Sequence, residues 1–120
     1  MLRGSLRSRA VVGGLFALSL LGSVFARPGE AADLAKGEKI YKMMCLKCHG
    51  ETGKGDGPKA KELSKKPANY SDPGFFAKRP DEDLKKVVIE GKEPMPSFQA
   101  RLKDKDVDDV IAYIKAFSKK

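Results

Sequence analysis

The stretch "MMCLKCHGETGKGDGP", Met43 to Pro58, carries both cysteines and the only histidine of the chain between Cys45 and His49, with four glycines close behind. Two thiols three residues apart beside an imidazole suit only a few chemistries. A redox dithiol of the thioredoxin kind needs a βαβ setting, which is missing here, and has no use for the histidine. A structural zinc ion takes four ligands, and the chain has no further Cys or His to complete the set. A disulfide across so short a loop would stabilise little. The glycines do not make a phosphate loop, because Lys54 is followed by Gly55 and not by Ser or Thr. What remains is covalent attachment of haem c. Cys45 and Cys48, three apart on a helix end, reach the two vinyl groups on one side of a porphyrin as thioethers, and His49 places a ring nitrogen on the iron.

A haem iron has a second axial position, and no second histidine exists to fill it. Met43 and Met44 are tethered on the histidine's own side of the ring. Met95 is free to reach the other side, and "Pro94-Met95-Pro96" is a rigid place to hold it, because each proline fixes its own φ and restrains its predecessor. A flexible methionine between two prolines is a poor core filler, so Met95 is assigned as the sixth ligand, with Pro96 beside it in the pocket. The other nitrogen of His49 needs an acceptor to fix the ring, and the carbonyl of Pro58 is expected there, with Gly57 or a neighbour as the alternative.

Outward from the motif, the chain reads as all-α. Asp33 can cap a helix running through "LAKGEKIYKMMCLKC" to His49-Gly50. Gly37 in the middle of that helix costs about 1 kcal/mol relative to alanine, which marks a close approach by another backbone or a large ring. From Gly50 to Pro80 the composition favours loop, with a short helix at most over Pro58 to Lys65. "PDEDLKKVVIEG", Pro80 to Gly91, is a helix with acids in its first turn and a glycine to end it. "KEPMPSF", Lys92 to Phe98, is expected to be extended. The last helix opens at Asp104, with Val107, Val110, Ile111, Ile114 and Phe117 in one stripe. No strand pattern and no internal repeat appear, so three to four short helices and long loops wrap a single prosthetic group.

The chain has 120 residues, enough for one domain. Arg3, Arg7 and Arg9, then the apolar run Ala10 to Val24, then Ala26 before Arg27-Pro28 describe a secretory signal peptide over residues 1–26. Ala31 or Ala32 is a second choice of cleavage point, and a retained membrane anchor is the alternative to cleavage. Residues 27–32 form a short linker and 33–120 the domain. A domain of roughly ninety residues is short of core, and the long bare loop after His49 needs something to wrap. A haem meets both needs. The formal charge of +8 falls to +5 without the three arginines of the leader, and its lysines are interspersed with acids. That pattern lacks the basic block with aromatics that nucleic acid requires, and favours acidic protein partners instead.

Four segments in order, "GEKIYKMMCLKCHG", "GKGDGP", "GKEPMPSF" and "VIAYIKAF", together resemble a class I c-type cytochrome of the bacterial single-haem kind, over Asp33 to Lys120. The resemblance implies that the first and last helices cross at Gly37, with Tyr41 packed on Val110 and Tyr113. It also implies that Phe98 closes the pocket behind Met95 and that Tyr70 lies near a haem propionate. The segment between His49 and Met95 is brief beside that of the mitochondrial type, which implies a more exposed haem edge near Leu46, Lys47 and Pro96. With both axial positions filled, no substrate chemistry occurs at the metal. The expectation is a monomeric periplasmic electron carrier, not an enzyme, working between a donor and an acceptor redox protein. It has no membrane contact unless the leader is kept. The alternatives are a haem subunit of a dehydrogenase or oxidase complex, or a haem-based sensor or peroxidase.

Overall fold

A computed structural model describes residues 31–120, together with Gly13 and Gly14. The expected signal segment, residues 1–26, lies otherwise outside the described residues. Five α-helices follow in order: α1 Leu34–Met44, α2 Leu46–His49, α3 Pro73–Ala77, α4 Asp81–Glu90 and α5 Asp104–Ala116. Short 3₁₀ turns occupy Ala60–Glu62 and Phe117–Lys119. No strand occurs among the described residues, so the domain is all-α with long loops.

The Asp33 carboxylate accepts the Lys36 N–H at 3.0 Å and starts α1, satisfying one of the free donors of its first turn. The expected single helix to His49 is broken once, at Cys45, where φ is −113°. The chain recovers within one residue. Cys45 O accepts from His49 N–H and Leu46 O from Gly50 N–H, both at 2.9 Å, so α2 is a single turn bearing Cys48 and His49. Gly50 ends it at a φ of +86°.

Helices α1 and α5 form the structural spine. A Cβ on Gly37 would stand 2.2 Å from the carbonyl oxygen of Asp109, so the crossing exists only because that position has no side chain. Tyr41, 1 % exposed, packs there with Tyr113 and Phe117 at ring-centroid distances of 5.4 and 5.2 Å. All five members of the α5 stripe are buried. Val110, Ile114 and Phe117 join Ile40, Tyr41 and Tyr70 in one core cluster, while Val107 and Ile111 join Leu84 of α4 in a second. Phe75 and Phe76 of α3 pack against both clusters.

Helix α3 departs from the expected loop. Asp72 caps it by accepting the Gly74 N–H at 2.9 Å, and Pro73 fills the first helical position. Conversely, the segment from Pro58 to Lys65 holds only the 3₁₀ turn. The Lys92 to Phe98 segment is not extended throughout. Lys92 and Met95 exchange two backbone hydrogen bonds, of 2.8 and 3.0 Å, across a turn with a cis Glu93–Pro94 bond. Proline is the residue that tolerates such a bond in a tight turn.

Candidate functional site

Cys45, Cys48 and His49 stand on one turn of the chain, with the Cys48 N–H bonded to Cys45 O at 3.2 Å. Both cysteines are half-buried free thiols. Burial, and then the neighbouring Cys48, push the Cys45 thiol up to about 12. An activated redox thiol has the opposite shift, so Cys45 is set in apolar surroundings.

His49 is buried at 7 % exposure. Burial holds its pKa below the usual range, against the opposing effect of the Ala68 carbonyl. The ring is therefore neutral at neutral pH, the form that binds a metal. Nδ1 lies 3.3 Å from Ala68 O, and Nε2 lies 3.4 Å from the hydroxyl of Tyr70. The Tyr70 ring stacks on the imidazole at 4.6 Å and 17°. With Nδ1–H donating to a carbonyl, Nε2 keeps the lone pair that an iron takes.

The acceptor carbonyl thus belongs to Ala68 and not to Pro58 or Gly57, which corrects the sequence expectation. The Gly57–Lys59 segment is already engaged with α2 backbone: Gly57 N–H donates to Cys48 O at 3.1 Å and Lys59 N–H to Lys47 O at 2.8 Å. Pro58 itself is exposed, while the loop carries Ala68 back to the ring. That return is fixed by Tyr70 N–H donating to Gly53 O at 2.6 Å. Tyr70, 8 % exposed, accordingly sits against the histidine ring, with Phe75 edge-on to it at 5.4 Å.

Behind the motif, the buried Tyr41 hydroxyl donates to Gly50 O at 2.6 Å. This bond ties the residue after His49 to the α1–α5 crossing, where Gly37, Val110 and Tyr113 also lie. The sequence named Tyr41 only as packing; its hydroxyl has this second task. Asp109 was missed altogether. It is 1 % exposed, accepts the Asp33 N–H at 2.8 Å and is paired with Lys105. Helical spacing sets it off the Val107–Val110–Ile111–Ile114–Phe117 stripe, so residue type and position alone do not distinguish it from the neighbouring surface acids.

Met95, Pro96 and Phe98 form a second group on the end of α4. Gly91 closes that helix at a φ of +79°, and a Cβ there would meet the backbone of Pro96 and Ser97 within 2.8 Å. Phe98 N–H donates to Val88 O at 3.1 Å and Ser97 Oγ to Ile89 O at 2.5 Å. Met95 and Pro94 are half-buried, Pro96 is exposed, and Phe98 is buried at 7 %. The turn therefore presents a thioether from a braced arm rather than from a free loop.

Among the described residues, no group of three or more His, Cys, Asp or Glu is gathered around a metal position. Two thiols in apolar surroundings beside a buried imidazole suit a porphyrin tethered by Cys45 and Cys48, with His49 able to hold its iron. The residues present fit a haem.

Fold and site together define an all-α domain with a covalent haem, of the class I c type. A family model described as "Cytochrome C oxidase, cbb3-type, subunit III" matches residues 32–114. The cytochrome c6 of Nostoc sp. (strain PCC 7120) is 35 % identical over 105 residues, covering 83 % of this chain and 89 % of its own. The cytochrome c6 of Picosynechococcus sp. is 36 % identical over 104 residues, covering 82 % and 86 %. Among solved structures, the KustC0563 c-type cytochrome superposes with a TM-score of 0.60 at 26 % identity, over 68 % of this chain and 95 % of that one. Cytochrome c6 from the diatom Phaeodactylum tricornutum gives 0.52 at 27 % identity, over 73 % and 97 %. The chain belongs to the cytochrome c family, as a single-haem c-type electron-transfer protein with covalently bound haem c. No helix among the described residues is long and apolar enough to cross a membrane.

Proposed function

We propose that this chain is an exported, freely diffusing electron carrier of the periplasm, with His49 and Met95 as the axial ligands of its iron. The observation that carries the reading is the single turn of α2, which sets two free thiols beside a buried neutral imidazole. Cys45 and Cys48 tether the group through thioethers. His49 supplies Nε2, held in orientation through Nδ1 by Ala68 O. Met95 would supply a thioether as the second ligand, with Phe98 buried behind it. Haem c so bound takes up and releases one electron, and methionine with histidine favours a raised potential.

The chain's remaining work is exclusion and exposure. Tyr70, Phe75 and the α1–α5 aromatics keep water from the histidine side. If His49 and Met95 both hold the iron, no position would be left for substrate, and Leu46, Lys47 and Pro96 would border the face at which partners approach. The leader of residues 1–26 directs export, and docking with a donor and then an acceptor redox protein is brief. A haem-stained denaturing gel of the periplasmic fraction tests this reading. It should show a band at monomer mass, in protein whose reduced and oxidised spectra interconvert reversibly. Absence of covalent haem would sink it.

One observation favours a second reading. The family description is that of an oxidase subunit, and a solved structure titled "Kuenenia stuttgartiensis reducing HAO-like protein complex Kustc0457/Kustc0458" superposes with a TM-score of 0.61 at 26 % identity, over 72 % of this chain and 43 % of that one. On that reading the domain is a fixed haem subunit, with the leader kept as an anchor. Recovery of the haem only in a stable membrane complex would decide for it.

A further inference from the structure

Tyr41 grips the haem motif at both ends. Its carbonyl accepts the Cys45 N–H at 2.9 Å, and its hydroxyl donates to Gly50 O at 2.6 Å, so one residue brackets Cys45 to His49. Between these two contacts the helix breaks at Cys45, where φ is −113°. The hydroxyl bond spans that break and ties the end of α2 back to α1. Tyr41 is 1 % exposed and Gly50 is buried, so water does not compete for the bond. Burial pushes the phenol well above the usual tyrosine range, and the hydroxyl keeps its proton at neutral pH.

Gly50 O is also a node. Besides the Tyr41 hydroxyl it accepts the Gly53 N–H at 3.3 Å, and Gly53 O accepts the Tyr70 N–H at 2.6 Å. That last bond brings Ala68 O to 3.3 Å from Nδ1 of His49. The Tyr41 ring reaches the same turn by packing. It lies 5.2 Å from the Phe117 ring, which a Cβ on Gly53 would meet at 2.7 Å. Without the hydroxyl, a buried carbonyl keeps only its longer bond, and an under-satisfied buried acceptor is costly. Gly50 N–H is held by Leu46 O at 2.9 Å, so relief must come from the turn after Gly50, which carries Tyr70 and Ala68 with it.

We infer that Tyr41 is a positioning residue for His49: its hydroxyl, through Gly50 O, fixes the carbonyl that receives the Nδ1 proton and thereby tunes the iron. This rests on the His49 ligation proposed above and adds to it a residue outside the ligand set. The sign follows from the imidazole. A short Nδ1–H···O=C bond makes Nε2 the stronger electron donor, which favours the ferric state. Loosening that bond favours the ferrous state and raises the potential. Tyr113 supplies the control. Its ring packs on Tyr41 at 5.4 Å in the same crossing, but its hydroxyl makes no hydrogen bond among the described residues.

The test compares Tyr41→Phe with Tyr113→Phe in the holoprotein, by redox titration of the visible spectrum and by NMR exchange of the His49 Nδ1 proton in the reduced state. Tyr41→Phe should raise the Fe(II)/Fe(III) ratio at fixed poise about threefold, which is about 28 mV at 59 mV per tenfold for one electron. Its Nδ1 proton should exchange about tenfold faster. Tyr113→Phe should leave both readouts at the wild-type value. A third protein carries 3-fluorotyrosine in place of Tyr41, a stronger donor of nearly unchanged shape. It should shift the potential the opposite way, and it decides the matter if Tyr41→Phe does not fold. A lowered unfolding midpoint in Tyr41→Phe with unchanged potential and exchange would make Tyr41 packing alone and overturn the proposal. Equal shifts in the two phenylalanine variants would assign the effect to the helix crossing and also overturn it, as would a fluorotyrosine protein that matches the wild type. If the wild type itself lacks covalent haem or a reversible couple, the carrier reading has failed and takes this inference with it; a failure confined to the variants leaves that reading standing.

Discussion

At the level of single residues, the site divides into side chains whose role is local and side chains whose role depends on a path through the fold. Cys45, Cys48 and His49 are legible because five contiguous residues carry all three functions. Met95 stands apart in the sequence because two prolines isolate it, and its ligation of the iron belongs to the proposal. The partner of the imidazole was not, since a carbonyl acceptor leaves no trace in residue type; any of the loop's backbone oxygens would have served, and the Gly53–Tyr70 hydrogen bond selects Ala68. Met95→Ala is expected to lower the midpoint potential by on the order of 0.1 V, within the ~0.8 V that axial ligands span, and to let the ferric protein take up cyanide. Titration of the Soret band checks it. Ready cyanide binding by the unaltered protein would instead favour a sensor or peroxidase. Tyr70→Phe removes the hydroxyl at 3.4 Å from Nε2 but keeps the stack, so covalent haem should still form.

Among the elements, the α1–α5 crossing has the narrowest tolerance. Gly37→Ala forces a methyl into the Asp109 carbonyl, and the backbone must part to admit it. Overpacking of this kind costs about 1–3 kcal/mol, readable as a lowered midpoint in guanidinium unfolding of the holoprotein. The sequence pointed to this crossing because glycine is costly inside a helix, and to α5 because five apolar residues keep one face. It missed α3 because five residues are too few for periodicity to show, although Asp72-Pro73 is a helix start in its own right. It missed Asp109 because a carboxylate at that spacing looks like one more surface acid. Burial pushes that carboxyl upward, but Lys105, the Asp33 N–H and the charge of Lys36 outweigh it and hold it below the usual 3.8. A folded-state value below the unfolded one stabilises the fold above about pH 4 and is lost as pH falls through the folded value. Asp109→Asn should therefore melt lower than the parent at pH 7, with a smaller further loss on acidification. Parallel loss of Tm in both proteins below pH 4 would show that Asp109 is not the group responsible.

For the molecule as a whole, the polypeptide supplies two core clusters joined through α3. One cluster centres on Tyr41, Val110 and Ile114 and the other on Leu84, Val107 and Ile111, with Phe75 and Phe76 between them. The Met95 arm is tied to α4 by Phe98 and Ser97, and among the described residues no hydrogen bond or ion pair joins it to α1 or α2. In the holoprotein the link between arm and motif is the proposed ligation of one iron by Met95 and His49. A ligand that binds only the native state stabilises it, and a tethered one cannot dissociate to relieve that coupling. Cys45→Ser/Cys48→Ser, which cannot be tethered, should show that dependence unevenly. Amides of residues 92–98 should lose hydrogen-exchange protection first, because their remaining anchors are two carbonyls, of Val88 and Ile89, in the last turn of a ten-residue helix. Amides at the α1–α5 crossing should persist longest, since Gly37, Tyr41 and Asp109 hold it without help from the haem. The melt should broaden and fall well below that of the holoprotein. A sharp transition at an unchanged midpoint, with the arm still protected, would mean that the polypeptide closes its own core and that the haem is cargo rather than structure.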